Sequence, residues 1–169
     1  RPKSSAASDV YKRQAFMSVL WIVSLIVKDA SIVDIFWGPA FIVLGSSLLV
    51  SMDQVYSERS LFILFLVSLW AIRLASHIGF RNIGHGEDFR YVEWRKESGK
   101  NYWWHSFIRV FLLQGGLCTL VGVSIYFGYL NEKPLSFIET MFASTIFFIG
   151  LAWESISAVS YTHLTLPTT

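Results

Sequence analysis

The sequence predicts an all-α protein, a multi-spanning bundle of about five transmembrane helices. Three observations predict it. Of 169 residues, 53% are hydrophobic and only 15% are charged, where a soluble domain carries about 25% charge. The mean hydropathy is +0.48. The apolar residues also fall into blocks, most of them close to the roughly 20 residues that cross a hydrocarbon layer at about 1.5 Å per residue.

The blocks follow in order. Ala15–Val27 is the first and is short for a span; Lys28-Asp29 follows it where a signal peptide would have small residues. Ile32–Val50 is the second and contains Asp34 and Gly38-Pro39. The third, Leu61–Phe80, carries Arg73 and His77. The fourth, Phe107–Tyr129, has Arg109 near its start and places Gly115, Thr119, Gly122 and Tyr126 at helical spacing, a stripe of the kind that lets helix backbones approach. The fifth, Phe137–Ile156, carries Glu139 and Glu154. Both ends read as foreign. RPKSSAASDVYKRQ at 1–14 and VSYTHLTLPTT at 159–169 resemble translated adapter read-through. The native membrane domain is therefore expected over 15–158, cut at both ends, with few long-range contacts from either tail.

Orientation follows the distribution of Lys and Arg. Arg81, Arg90, Arg95, Lys96 and Lys100 lie between the third and fourth blocks, and Lys28 between the first and second. Arg59 and Lys133 are on the other side. This places the 81–106 loop in the cytoplasm. Trp94, Tyr102, Trp103 and Trp104 suit the headgroup layer, so the loop is expected to lie along the membrane surface as a loop or short helix.

Several functions are excluded or unsupported. The single cysteine, Cys118, rules out an intrachain disulfide or a cysteine-based zinc site. His77, His85 and His105 lack zinc-type spacing, so no metal is expected. There is no Walker motif, dinucleotide-binding glycine turn or nucleophile elbow. The net charge of +2 makes no argument for nucleic acid. The expected partners are the lipid bilayer and a hydrophobic small molecule, with no nucleic acid.

Charges within spans are expensive, at least about 2.5 kcal/mol each at mid-bilayer. Asp34 shares a helical face with Gly38, Phe41 and Gly45, which leaves room for a ligand or another helix; a place at the headgroup level or at the helix start, which Ser31 and Asp34 both adjoin, accounts for it equally. Arg73, a turn deeper than His77, would neutralise Asp34 by pairing with it. The densest polar cluster is Gly84-His85-Gly86-Glu87-Asp88-Phe89-Arg90-Tyr91, followed by Trp94-Arg95. Arginine forks suit phosphate or carboxylate, and the glycines permit tight turns. A solvated loop that only sets topology accounts for the same composition. Arg95 is assigned to the surface.

VDIFWGPAF at 33–41, LWAIRLASHIGFRNIGHGEDFRY at 69–91 and YWWHSFIRVFLLQG at 102–115 together resemble the DUF1295 family of the steroid 5-alpha-reductase superfamily. The resemblance covers nearly all of residues 32–154. It implies an all-helical membrane fold. From the better-understood relatives, it also implies NADPH-dependent reduction of a C=C bond conjugated to a carbonyl. In those relatives a carboxylic acid and a tyrosine hold the carbonyl, which makes Asp34 and Tyr91 the catalytic candidates. Arg81, Glu87, Asp88 and Arg90 fall where the family keeps a polar loop toward NADPH. Trp37, Arg73 and His77 are the substrate-side candidates. The family's C-terminal R-H-P-N-Y-x-G-E string is absent from these residues, so this chain is expected to be an inactive part of an active parent. Two alternatives stay open: an isoprenylcysteine-carboxyl-methyltransferase-like enzyme, and a non-enzymatic membrane protein that binds lipid or a partner.

Overall fold

A computed structural model describes residues 2–51, 57–82, 84, 86–131 and 133–164, with side chains described between Gln14 and Ala158. No strand occurs among them. The chain forms two compact units, Arg1–Glu132 and Lys133–Thr169.

The first unit contains α1 (Pro2–Val27), α2 (Ile32–Ser51), α3 (Glu58–Asn82) and α4 (Phe89–Ser98). A 3-10 turn at Gly99–Asn101 and the short α5 (Tyr102–Ser106) follow. A π-helical stretch, Phe107–Leu112, then runs into α6 (Leu113–Tyr129). Helices α2 and α3, and the continuous helical stretch ending at Tyr129, are long and apolar enough to cross a membrane; the apolar part of α1, Gln14–Val27, is shorter. These bounds match the second, third and fourth blocks read from sequence.

The first helix differs from expectation. It continues back to Pro2 through residues with no apolar stripe. Ala, Lys, Arg and Gln are strong helix formers, so the extension needs no buried face. The two segments read as foreign lie almost wholly outside the described side chains. Gln14 is the exception, and it sits against Gly115.

Helix α2 is the centre of this unit. Val33, Ala40, Phe41, Leu44 and Leu48 are buried and join Met17 and Leu20 of α1 and Val110, Phe111, Cys118, Ile125 and Tyr129 in one core. The small residues mark close approaches. A Cβ on Gly38 would stand 2.7 Å from the Ala71 carbonyl oxygen of α3, and one on Gly122 would run into the Leu44 side chain. The room beside Asp34 that the sequence left open between ligand and helix is thus filled, at Gly38, by α3. Gly115 and Gly122 pack against α1 and α2, as their stripe predicts. Outward faces stay apolar: Phe65 and Ile72 on α3 and Leu120 and Phe127 on α6 are exposed, as lipid-facing residues are.

The turn from α1 to α2 positions the site. Lys28 adopts a left-handed backbone (φ 59°), and the Asp29 N–H donates to the Ser24 carbonyl at 3.1 Å. This is a Schellman-type helix end. Asp29 Oδ1 then accepts the Ser31 N–H at 2.8 Å, a side-chain-closed turn that starts α2.

The second unit holds α7 (Phe137–Leu164), whose 137–158 part is long and apolar enough to cross a membrane. Ser136 and Glu139 form a reciprocal capping box: the Glu139 N–H donates to Ser136 Oγ, and the Ser136 N–H donates to Glu139 Oε2. Glu139 is therefore the first-turn residue of this helix rather than a charge in mid-span.

Candidate functional site

The site is built where α4 and the loop before it dock on the α1–α2 turn. Asp88 caps α4, its Oδ1 accepting the Arg90 N–H at 3.0 Å. Gly84 and Gly86 turn the loop with positive φ (79° and 72°), and among the described residues, chain neighbours aside, nothing lies within 4 Å of where a Cβ on either would stand. His85 lies outside the described residues.

Five contacts join segments more than fifty residues apart. The Ala30 N–H donates to Glu87 Oε1 at 2.8 Å. The Asp88 N–H donates to Ser31 Oγ at 2.7 Å. Arg95 Nη2 donates to the Lys28 carbonyl at 3.2 Å. Tyr91 Oη donates to Asp34 Oδ1 at 3.0 Å, and Arg90 Nη2 pairs with Asp34 Oδ2 at 3.2 Å.

Two sequence expectations are corrected here. Asp34 is held by Tyr91 and Arg90, not by Arg73. It lies in the first turn of α2, within reach of the docked loop, while Arg73 stays on α3 with its Nε buried. Arg95 is not an indifferent surface residue. Its fork clasps Glu87 at 2.7 and 3.1 Å, and its guanidinium lies 4.1 Å from the Tyr102 ring centroid. The Glu87 side chain is only 10% exposed, and both oxygens are engaged by Arg95 and the Ala30 N–H, so Glu87 is a pin of the loop.

The other candidates fall as follows. Arg90 also binds Asp88 through Nε at 2.9 Å, yet half of its side chain remains exposed. Arg81 ends α3, is exposed, and reaches Asn82 Oδ1 at 3.4 Å. Trp37 packs edge-on against Phe41 and Trp70, with centroids at 5.1 and 6.0 Å, and its buried Nε1 finds no acceptor among the described residues. His77 is half-buried on α3. No cluster of potential metal ligands occurs among the described residues.

Sequence reasoning missed Ser31 as a loop acceptor and the Lys28 carbonyl as an acceptor for Arg95. Ser31 did signal a helix start, but nothing local marks a hydroxyl or a main-chain oxygen that serves a segment 57 or 67 residues away.

Asp88 gives a pH prediction. The hydrogen bond from Arg90 holds its carboxyl below the ordinary carboxylate range, with more distant help from Arg81. A depressed folded-state pKa gives stability that is full above the unfolded value, about 3.9, and is lost as pH falls through the folded value. The melting-temperature gap between wild type and Asp88→Asn is expected to stay constant from pH 7 to about pH 5 and to close below about pH 4. A gap that instead shrinks between pH 7 and 6 would rule out this carboxylate as its source.

Apolar spans together with a docked, polar, arginine-bearing loop define a polytopic α-helical membrane protein. The chain belongs to the DUF1295 family: the family model, described as a protein of unknown function, matches residues 20–162. No curated protein and no solved structure matches the chain.

Proposed function

We propose that this region belongs to a membrane-embedded, NADPH-dependent reductase that acts on a C=C bond conjugated to a carbonyl in a lipid-like substrate, with the 81–106 segment in the cytoplasm. The observation that carries the reading is the hydrogen bond between Tyr91 and Asp34. A tyrosine and a carboxyl, the pair expected to hold the carbonyl, meet across 57 residues of sequence at the rim of the bundle.

The residues present fit a dinucleotide in kind. Arg81 and the half-exposed Arg90 offer guanidinium groups for phosphate. The open backbone at Gly84 and Gly86 lets a ligand approach the main chain. When bound, NADPH supplies the hydride, which adds to the β-carbon. The chain's own residues do the rest. In turnover the Tyr91 hydroxyl turns its one proton from Asp34 to the carbonyl oxygen as that oxygen takes on negative charge. Arg90 fixes Asp34 and Asp88 and so keeps the tyrosine aimed. A proton from water, added at the α-carbon, completes the saturated product. Trp37, half-buried one helical turn from Asp34, is the apolar contact for the substrate; Phe41 and Trp70 back it, and Arg73 and His77 lie on α3.

The test uses a chain carrying both this region and the family's R-H-P-N-Y-x-G-E segment. Arg90→Ala is expected to weaken NADPH binding by about 1.5–3 kcal/mol, the scale of a charged hydrogen bond, while the exposed Lys96→Ala leaves it within about twofold. Tyr91→Phe should lower turnover of enone substrates more than it weakens NADPH binding. Binding of S-adenosylmethionine with no binding of NADPH would replace the reading by a methyltransferase.

A further inference from the structure

The helical path from α4 into the fourth span forms a second cleft, next to the Asp34–Tyr91 pair through Trp94, which packs edge-on against Tyr91 at 5.7 Å. It is lined by Trp94 and Ser98 of α4, Tyr102, His105 and Ser106 of α5, and Arg109 of the π-helical stretch. Gly99, with φ 51°, turns the chain between α4 and α5. His105 Nδ1 lies 2.9 Å from Ser98 Oγ and ties the two sides together, which leaves the opposite ring nitrogen for another partner.

Two features point to an anion. The lining holds one guanidinium, one imidazole and no carboxylate. Arg109 is exposed and forms no ion pair with any described residue. Backbone geometry adds a third. The π-helical stretch covers Phe107–Leu112 and includes Arg109, and such wide turns cluster at functional sites in helices.

The location selects the anion's source. Arg109 is the first charge inside a membrane-spanning block, whereas Trp94 and Ser98 belong to a polar helix, so the cleft sits at the depth where a span meets the headgroup layer. Trp103, Trp104, Ile108 and Leu112 are exposed along the same stretch and are placed to meet the glycerol and acyl region. We propose that this cleft binds the phosphate of an anionic glycerophospholipid, with Arg109 and His105 as its donors.

The experiment titrates the detergent-solubilised chain with short-chain phosphatidylglycerol and reads lipid retained per protein. Phosphatidylcholine of the same chain length and inorganic phosphate are the comparison probes. Phosphatidylglycerol should bind at least about tenfold more tightly than phosphatidylcholine, whose choline offsets the phosphate charge. Arg109→Gln should lose about tenfold or more of that affinity, as loss of a charged hydrogen bond implies. His105→Ala should weaken it, and Lys100→Ala on the adjoining turn should not. Helicity and melting temperature check each variant, and His105→Ala decides the matter if Arg109→Gln does not fold. Equal losses at Arg109 and Lys100 would reduce the cleft to diffuse charge and overturn the proposal. So would binding of inorganic phosphate as tight as that of the lipid.

Discussion

Gly38→Ala is expected to destabilise the bundle by about 1–3 kcal/mol, the range for an overpacked contact that cannot relax. The new methyl would stand 2.7 Å from the Ala71 carbonyl oxygen and 3.1 Å from its Cα. Both are main-chain atoms of a neighbouring helix, so α2 and α3 would have to separate along their contact. Gly116→Ala is the matched control. It lies on α6 with nothing within 4 Å of the added atom, and alanine is the better helix former by up to about 1 kcal/mol. Thermal unfolding in one detergent should therefore move the two variants in opposite directions. Equal melting temperatures would mean that α2 and α3 do not approach closely at Gly38.

Glu87→Ala is expected to undock the 84–98 segment from the α1–α2 turn at a cost of about 2–4 kcal/mol, given that removing one member of a largely buried pair strands the other. The substitution strips both partners from the Arg95 fork and the acceptor from the Ala30 N–H. Arg95→Ala should cost nearly as much, because it also loses the Lys28 carbonyl contact and the packing on Tyr102. The double variant should cost well under the sum, since each single change already breaks the shared contact. Hydrogen exchange over 84–98 reads the opening locally even where the bundle stays folded. Exchange in Arg95→Ala no faster than in Lys96→Ala would return Arg95 to the surface role that its sequence context implied.

These two results bear on different kinds of information. The spans were legible because hydrocarbon is an unforgiving solvent: main-chain groups must be satisfied within a helix, so about twenty apolar residues leave one solution. Ile32–Val50 accordingly falls within a residue of α2, and Phe107–Tyr129 covers the π-helical stretch and α6 together. The packing stripe Gly115–Gly122 was legible for a similar reason, since periodicity fixes which residues share a face. The capping box at Ser136 and Glu139 also has a local sign, S-x-x-E before an apolar run, but the block reads only as a span carrying Glu139.

The sequence by itself determined the fold class, the places of the spans and the residue types gathered at one rim, because each depends on local composition and helical period. Tertiary structure decided the pairings. Asp34 has guanidinium candidates at Arg73, Arg81, Arg90 and Arg95, and composition ranks none of them. Docking the loop on the Lys28–Ser31 turn brings Arg90 and Tyr91 to Asp34 and leaves Arg95 to Glu87. That choice rests on main-chain donors and acceptors of the turn, the Ala30 N–H and the Lys28 carbonyl, which every residue carries and no sequence pattern marks.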